Sequence, residues 1–118
     1  MSLSHAFPKA SRLLKKSDFQ RVCQKGIKLF GNQIVMYAIP TQSPNSRIGI
    51  SVPKRYGKSH DRNFFKRKMR EYFRLQKKSL LPFDFHVMPL CLIEKISIES
   101  LEAEFYQLID QIQLPLKK

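Results

Sequence analysis

Arg62, Lys66, Arg70 and Arg74 recur at every fourth position of this sequence. At about 3.6 residues per helical turn, that spacing draws one cationic ridge along a helix. Asn63 and Arg67 fall beside the ridge, on the face away from Phe65, Met69 and Tyr72. Like charges four residues apart destabilise an isolated helix by about 0.2–0.5 kcal/mol per pair. Three such pairs in a row point to a bound polyanion that offsets the repulsion. Guanidinium forks match phosphate oxygens two at a time, and four of these six positions are Arg. The plain alternative is a solvated helix face, but such faces interleave Glu, and this segment has Glu71 alone. The preceding loop, Lys54-Arg55-Tyr56-Gly57-Lys58, adds three cations. Gly57 allows a turn that would bring them to the helix N-terminus, where free backbone N–H groups also attract phosphate.

Charge is distributed to match. Lys and Arg number 22 against 9 Asp and Glu, a formal net charge of +13. Residues 54–78 hold eleven of the bases, half the total in about a fifth of the chain. Residues 79–118 reverse the sign, with six acids and three lysines. Clustering of this kind argues for a defined phosphate-facing surface. A basic but solitary soluble protein would spread its charge more evenly. With 118 residues, 42% of them hydrophobic, one domain over 1–118 with a real core is expected.

Protein-borne catalysis has no visible basis. His5, His60 and His86 read as isolated, and Asp18, Asp61 and Glu71 are scattered beside cations. No carboxylate cluster suggests a two-metal nuclease, so no catalytic residue and no metal ligand is assigned. Cys23 and Cys91 are too few for a disulfide framework or a cysteine zinc site. No apolar run approaches the roughly 18–20 residues of a membrane span, and the first 16 residues lack a secretory apolar stretch. The cytoplasm is the expected compartment.

The ridge and any groove beside it need elements to hold them. Residues 1–11 read as an extended or mobile arm. A short helix from Asp18 to Lys25, capped by Ser17 and closed by Gly26, puts Phe19, Val22 and Cys23 on one face. Lys28 to Phe30 reads as a short strand, followed by a turn at Gly31-Asn32. Gln33 to Thr41 reads as a longer strand, apolar on both faces and so covered on both. Pro44-Asn45-Ser46 suggests a hairpin turn into Arg47 to Val52. On that strand Gly49 and Ser51 leave one face low, as the floor of a groove would be. A long helix is expected from Ser59–Asp61 to about Lys78, its core stripe Phe65, Met69, Tyr72, Phe73 and Gln76. Phe85 to Ile93 reads as a buried strand in which Pro89 demands an edge position or a bulge. An amphipathic helix carrying Ile98, Leu101, Phe105, Leu108, Ile109 and Ile112 follows, stopped by Pro115. The order makes an α+β sandwich.

Two stretches resemble the protein subunit of bacterial ribonuclease P. One is Arg47-Ile-Gly-Ile-Ser-Val-Pro-Lys-Arg-Tyr-Gly57, followed by Arg62-Asn63 and Lys66-Arg67-x-x-Arg70-Glu71. The other is Arg12-Leu-Leu-Lys-Lys-Ser-Asp18-Phe19-x-x-Val22, ending in Gly26. Together they span roughly residues 7–92. The resemblance implies a two-layer α-β-β-β-α-β-α sandwich with a left-handed β-α-β crossover. It also implies an endoribonuclease whose chemistry lies in a catalytic RNA subunit with Mg²⁺, removing the 5′ leader of precursor tRNA. The protein would bind leader and RNA subunit and favour Mg²⁺ binding, with no obligate protein partner. By this resemblance Lys54, Arg55, Lys58, Arg62, Asn63, Lys66, Arg67, Arg70 and Arg74 face the RNA subunit. The family's helix motif has Arg where this chain has Phe64, which removes one phosphate contact; Phe64 either packs locally or stacks on RNA.

A leader-binding groove would be lined by Phe19, Cys23, Val35, Tyr37, Gly49 and Ser51. Aromatic planes accept any base at about 1–3 kcal/mol per stack. Cys23 stands where the family commonly has an aromatic. On residue type alone Phe19 and Tyr37 read equally well as core. Two further functions fit the basic charge: a ribosomal or other structural RNA-binding protein without processing activity, and a DNA-binding architectural protein.

Overall fold

The computed structural model describes residue 12, residues 16–76 and residues 82–113. The arm expected over 1–11, the end of the long helix near Lys78 and the stop at Pro115 lie outside the described residues. Helix α1 (Lys16–Lys25) leads into strands β1 (Ile27–Phe30), β2 (Ile34–Pro40) and β3 (Arg47–Ile50). Helix α2 (Ser59–Gln76), strand β4 (Phe83–Pro89) and helix α3 (Ile98–Gln113) complete the chain, with 3₁₀ turns at Lys54–Tyr56 and Ile93–Lys95. The element order and the α+β class are those expected from the sequence.

The four strands form one sheet in the order β1-β2-β4-β3. β1 and β2 make an antiparallel hairpin, β2 and β4 pair antiparallel, and β3 and β4 run parallel. Two expectations are corrected by this topology. Pro44-Asn45-Ser46 is not a hairpin turn, because β4 inserts between β2 and β3 and the connection passes its end. There the buried Ser46 hydroxyl accepts a 3.1 Å hydrogen bond from the Phe83 amide, the first donor of β4. Nor is β4 an edge strand. It starts two residues earlier than expected, lies inside the sheet and ends at Pro89, where the missing N–H costs nothing further. The next amide, Leu90, resumes the ladder with a 2.8 Å bond to the Gln33 carbonyl.

Strand alternation assigns the two faces. Ile34, Met36, Ala38, Ile48, Phe85 and Val87 point to one side, all at most 2% exposed. Against them pack the stripes of α2 (Phe65, Met69, Tyr72, Phe73) and α3 (Leu101, Phe105, Leu108, Ile109, Ile112). Phe73 meets Phe85 edge-on at 6.0 Å, and Tyr72 meets Phe105 at 5.8 Å. This sheet and helix pair are the sandwich. The other face carries Val35, Tyr37, Asp84, His86, Arg47 and Gly49, and α1 crosses part of it, burying Val22 completely. Both sides of β2 are therefore covered, as its apolar faces require.

Two polar clamps hold the peripheral pieces. Asp84 has no exposed surface and accepts bonds from Arg21 Nη2 (2.6 Å) and from Arg47 Nε (2.9 Å) and Nη2 (2.7 Å). It thereby ties α1 to β3 and β4. Glu104 of α3 accepts the backbone amides of Gln33 (2.8 Å) and Ile34 (3.0 Å), seating the β1–β2 turn. Gly31 is required there, since a Cβ would sit on the Glu104 carboxylate. Removing one partner of a buried ion cluster strands the others. Asp84→Ala is therefore expected to lower stability by about 3–5 kcal/mol, measured as a shift of the urea midpoint at unchanged slope.

Candidate nucleic-acid interface

The cationic ridge lies on the outward side of α2, because the same helix turns Phe65, Met69, Tyr72 and Phe73 into the core. Asn63, Arg67 and Arg74 are exposed, and Arg62, Lys66 and Arg70 are half-buried along the same side. Lys54, Arg55 and Lys58 are exposed in the preceding loop. Arg62 Nε donates to the Gly57 carbonyl at 3.1 Å, which folds that loop onto the helix start. Among the described residues, no carboxylate pairs with Lys66, Arg67, Arg70 or Arg74; Glu71 is engaged instead by Lys68 at 3.7 Å. Arg70 is held below the usual arginine value, first by burial and then by the nearby Arg12 guanidinium. The half-buried Phe64 ring has the Arg67 guanidinium at 5.6 Å and the Lys68 ammonium at 5.7 Å.

The groove residues come together on the opposite face of the sheet, around a residue the sequence reading set aside. His86 is not isolated. The β2–β4 and β3–β4 registers place it between Tyr37 and Gly49. Cys23 Sγ lies 2.9 Å from its Nδ1, and Ser51 Oγ lies 2.8 Å from its Nε2. The Phe19 ring stands 5.0 Å from the imidazole, and the Tyr37 ring 5.9 Å. Phe19, Cys23, Tyr37 and Ser51 are all half-buried, presenting some surface to solvent. Val35 and Gly49 are buried and contribute packing and floor instead of contact area. Lys28, paired with Tyr37 across β1–β2, holds its ammonium 5.4 Å from the Tyr37 ring and supplies a cation at the rim.

Sequence reasoning missed Asp84, His86, Arg21, Lys28 and Phe30. The signal was available in period-two alternation: a strand begun at Phe83 puts Asp84, His86 and Met88 on the face of Tyr37. Beginning it at Phe85 hid the buried carboxylate.

The Cys23–His86 pair has the composition of a nucleophile and its base, but the electrostatics run the other way. Burial pushes the Cys23 thiol up, against a smaller opposing pull from Lys28. Burial pushes His86 down to about 4. Both are neutral near pH 7, so the contact is a thiol–imidazole hydrogen bond without an activated thiolate. Among the described residues, no group of three or more His, Cys, Asp or Glu side chains could hold a metal ion. The carboxylates nearest the groove, Asp84 and Asp18, already face Arg21 and Arg47. This donor set does not fit Mg²⁺. No described helix is long and apolar enough to cross a membrane.

An unopposed cationic helix face and an aromatic-lined groove on one α+β scaffold define a basic domain suited to a polyanionic strand. The chain belongs to the Ribonuclease P family, whose model matches residues 7–113. It is 39% identical over 83 residues to the ribonuclease P protein component of Chlamydia abortus, covering 70% of this chain and 60% of that one. Over 68 residues it is 44% identical to the Chlamydia pneumoniae component, covering 57% and 49%. The chain thus spans roughly half to three fifths of these curated relatives. Among solved structures, the Staphylococcus aureus RNase P protein superposes with a TM-score of 0.78 at 30% identity, covering 88% of this chain and 95% of that one. The Thermotoga maritima RNase P protein gives 0.76 at 28%, covering 85% and 96%.

The depressed His86 value carries a stability consequence. An unfolded histidine binds its proton near pH 6.5, whereas folded His86 resists it until about pH 4. The unfolded state therefore gains protons first, and stability present above about pH 6.5 is lost as pH falls towards 4. The expected loss from this group is about 3 kcal/mol. Urea unfolding at pH 7 and pH 4.5 measures it, and His86→Val should remove most of the difference between the two.

Proposed function

We propose that this chain is the protein subunit of ribonuclease P, assisting a catalytic RNA in endonucleolytic removal of the 5′ leader from precursor tRNA. The observation that carries the reading is the α2 ridge: Arg62, Lys66, Arg67, Arg70 and Arg74 on one side, without carboxylate partners among the described residues. A folded RNA supplies the phosphates that such a surface lacks. Membership of the Ribonuclease P family supports the same partner.

In this reading the two surfaces divide the work. The ridge and the 54–58 loop bind the RNA subunit, while Phe19 and Tyr37 hold the unpaired leader. Ser51, at the groove, and Lys54, at the start of the loop, are three residues apart, so a substrate strand in the groove passes close to the RNA-facing cations. In this reading the chemistry belongs to the RNA; among the described residues there is neither an activated nucleophile nor a group of three or more side chains that could hold a metal ion. Mg²⁺ is then held by RNA and substrate, and the protein favours its binding by drawing their phosphates together. The protein acts beside its RNA in the cytoplasm. An aromatic groove of half-buried rings suits a single strand better than a duplex, which disfavours an architectural DNA-binding role.

Reconstitution tests the proposal. The chain mixed with the catalytic RNA should restore cleavage of precursor tRNA at low Mg²⁺, where the RNA alone is slow; no enhancement at any protein concentration would remove the reading. Arg67→Ala should weaken binding to the RNA subunit and reduce its salt slope by about one. Tyr37→Ala should instead weaken leader-bearing substrate by about tenfold, a stack being worth roughly 1–3 kcal/mol. If both variants lose the same ligand equally, the division of surfaces is wrong.

A further inference from the structure

The groove face continues past Tyr37 to the edge of the sheet. Phe30 pairs with Val35 across β1–β2, two residues along from the Lys28–Tyr37 pair, so Phe30 and Tyr37 are diagonal neighbours on one face. Such diagonals lie about 7–8 Å apart, within the step between neighbouring bases of an extended nucleotide chain. Phe30 is 64% exposed. Lys28 stands between the two rings, its ammonium 4.8 Å from the Phe30 centroid and 5.4 Å from that of Tyr37.

One exposed phenylalanine is unremarkable on a protein surface, but the backbone that carries this one is anchored. The turn that follows it is pinned to α3 at several points. Glu104 takes the Gln33 and Ile34 amides. The Gln33 side chain accepts the Ser97 amide at 2.6 Å and donates to Ser100 Oγ at 3.1 Å. A ring on an anchored backbone loses less freedom when a base stacks on it than one on a loose loop.

We infer that Phe30 and Lys28 form a second stacking step for single-stranded RNA, taking the leader nucleotide next to the one held at Tyr37. The inference rests on the groove reading and extends it by one base and one phosphate. Lys28 supplies the cation for that phosphate, and Phe30 supplies a plane that accepts any base. The competing use of this edge is pairing with a second copy of the chain through β1. Two features oppose it: a lysine stands in the edge strand, a common device against edge-to-edge pairing, and two chains of +13 repel each other.

The test uses the reconstituted holoenzyme and precursor tRNAs whose leaders lengthen one nucleotide at a time. Phe30→Leu keeps apolar bulk and removes the ring; Phe30→Tyr keeps the ring. Affinity for long-leader substrate should fall about tenfold in Phe30→Leu and stay within twofold of the parent in Phe30→Tyr. The loss should vanish once the leader is too short to reach β1. Lys28→Ala should flatten the salt dependence of long-leader binding by about one phosphate. An equal loss at every leader length, or no loss at all, overturns the inference. So does a change confined to self-association in sedimentation. Tyr37→Ala run in parallel separates the two claims. If it abolishes leader discrimination while Phe30→Leu leaves it intact, the extension alone fails. If Tyr37→Ala leaves discrimination untouched, the groove reading itself has failed.

Discussion

A carboxylate with no exposed surface, gripped by two guanidinium groups, decides where the first helix lies. α1 buries only Val22 completely against the sheet. One valine is worth about 1.5–3 kcal/mol, too little to hold ten residues at a fixed angle. The Arg21–Asp84 bond adds to it, together with the Phe19 and Cys23 contacts to His86, and Asp18 lies within 4 Å of the same two arginines. Asp84 is fully buried while both arginines keep about a third or a quarter of their surface in water, and the cluster is tolerable because every charge has an opposite neighbour. The distance between Phe19 and Tyr37 follows from it, and so does the width of any strand that passes between them.

His86 follows from the same clamp. With α1 seated, the imidazole is roofed by Phe19 and bonded at both nitrogens, to Cys23 and to Ser51. Burial opposes protonation of the ring. The ring therefore stays neutral and serves as a flat polar floor. If the groove takes bases as proposed, that neutrality leaves its affinity to stacking and to rim cations. The thiol at Cys23 contributes a small neutral contact in the same way.

The parts of this design that obey a period were legible in the sequence. Four-residue recurrence located the ridge on α2, and apolar stripes located α2, α3 and β2. The element order followed from the same patterning, and the resemblance to the ribonuclease P protein implies that order as well. What escaped depends on contacts distant in the chain. Nothing near Pro44 shows that β4, some forty residues later, will part β2 from β3. Pro89 signalled an edge because proline cannot join a ladder, yet at the last position of an inner strand that rule does not apply. Asp84 and His86 gain partners at separations of up to 63 residues, and in the linear sequence each looks like an ordinary polar residue.

Placing the cations on a helix and the aromatics on a sheet has a physical reason beyond history. A helix face spaces side chains by about one turn and projects long Arg and Lys stems outward, which suits the irregular phosphates of a folded RNA. A pleated sheet holds ring planes at fixed separations and cannot follow such a contour, but it can present a regular track to an extended strand. The turn after β3 joins the two. Arg62 bonds the Gly57 carbonyl and folds the Lys54–Lys58 loop back over the helix start, so the loop's cations stand between the end of β3 and the ridge. Like charges four residues apart on α2 repel one another in the free protein, and a bound polyanion of the kind proposed above would offset that repulsion.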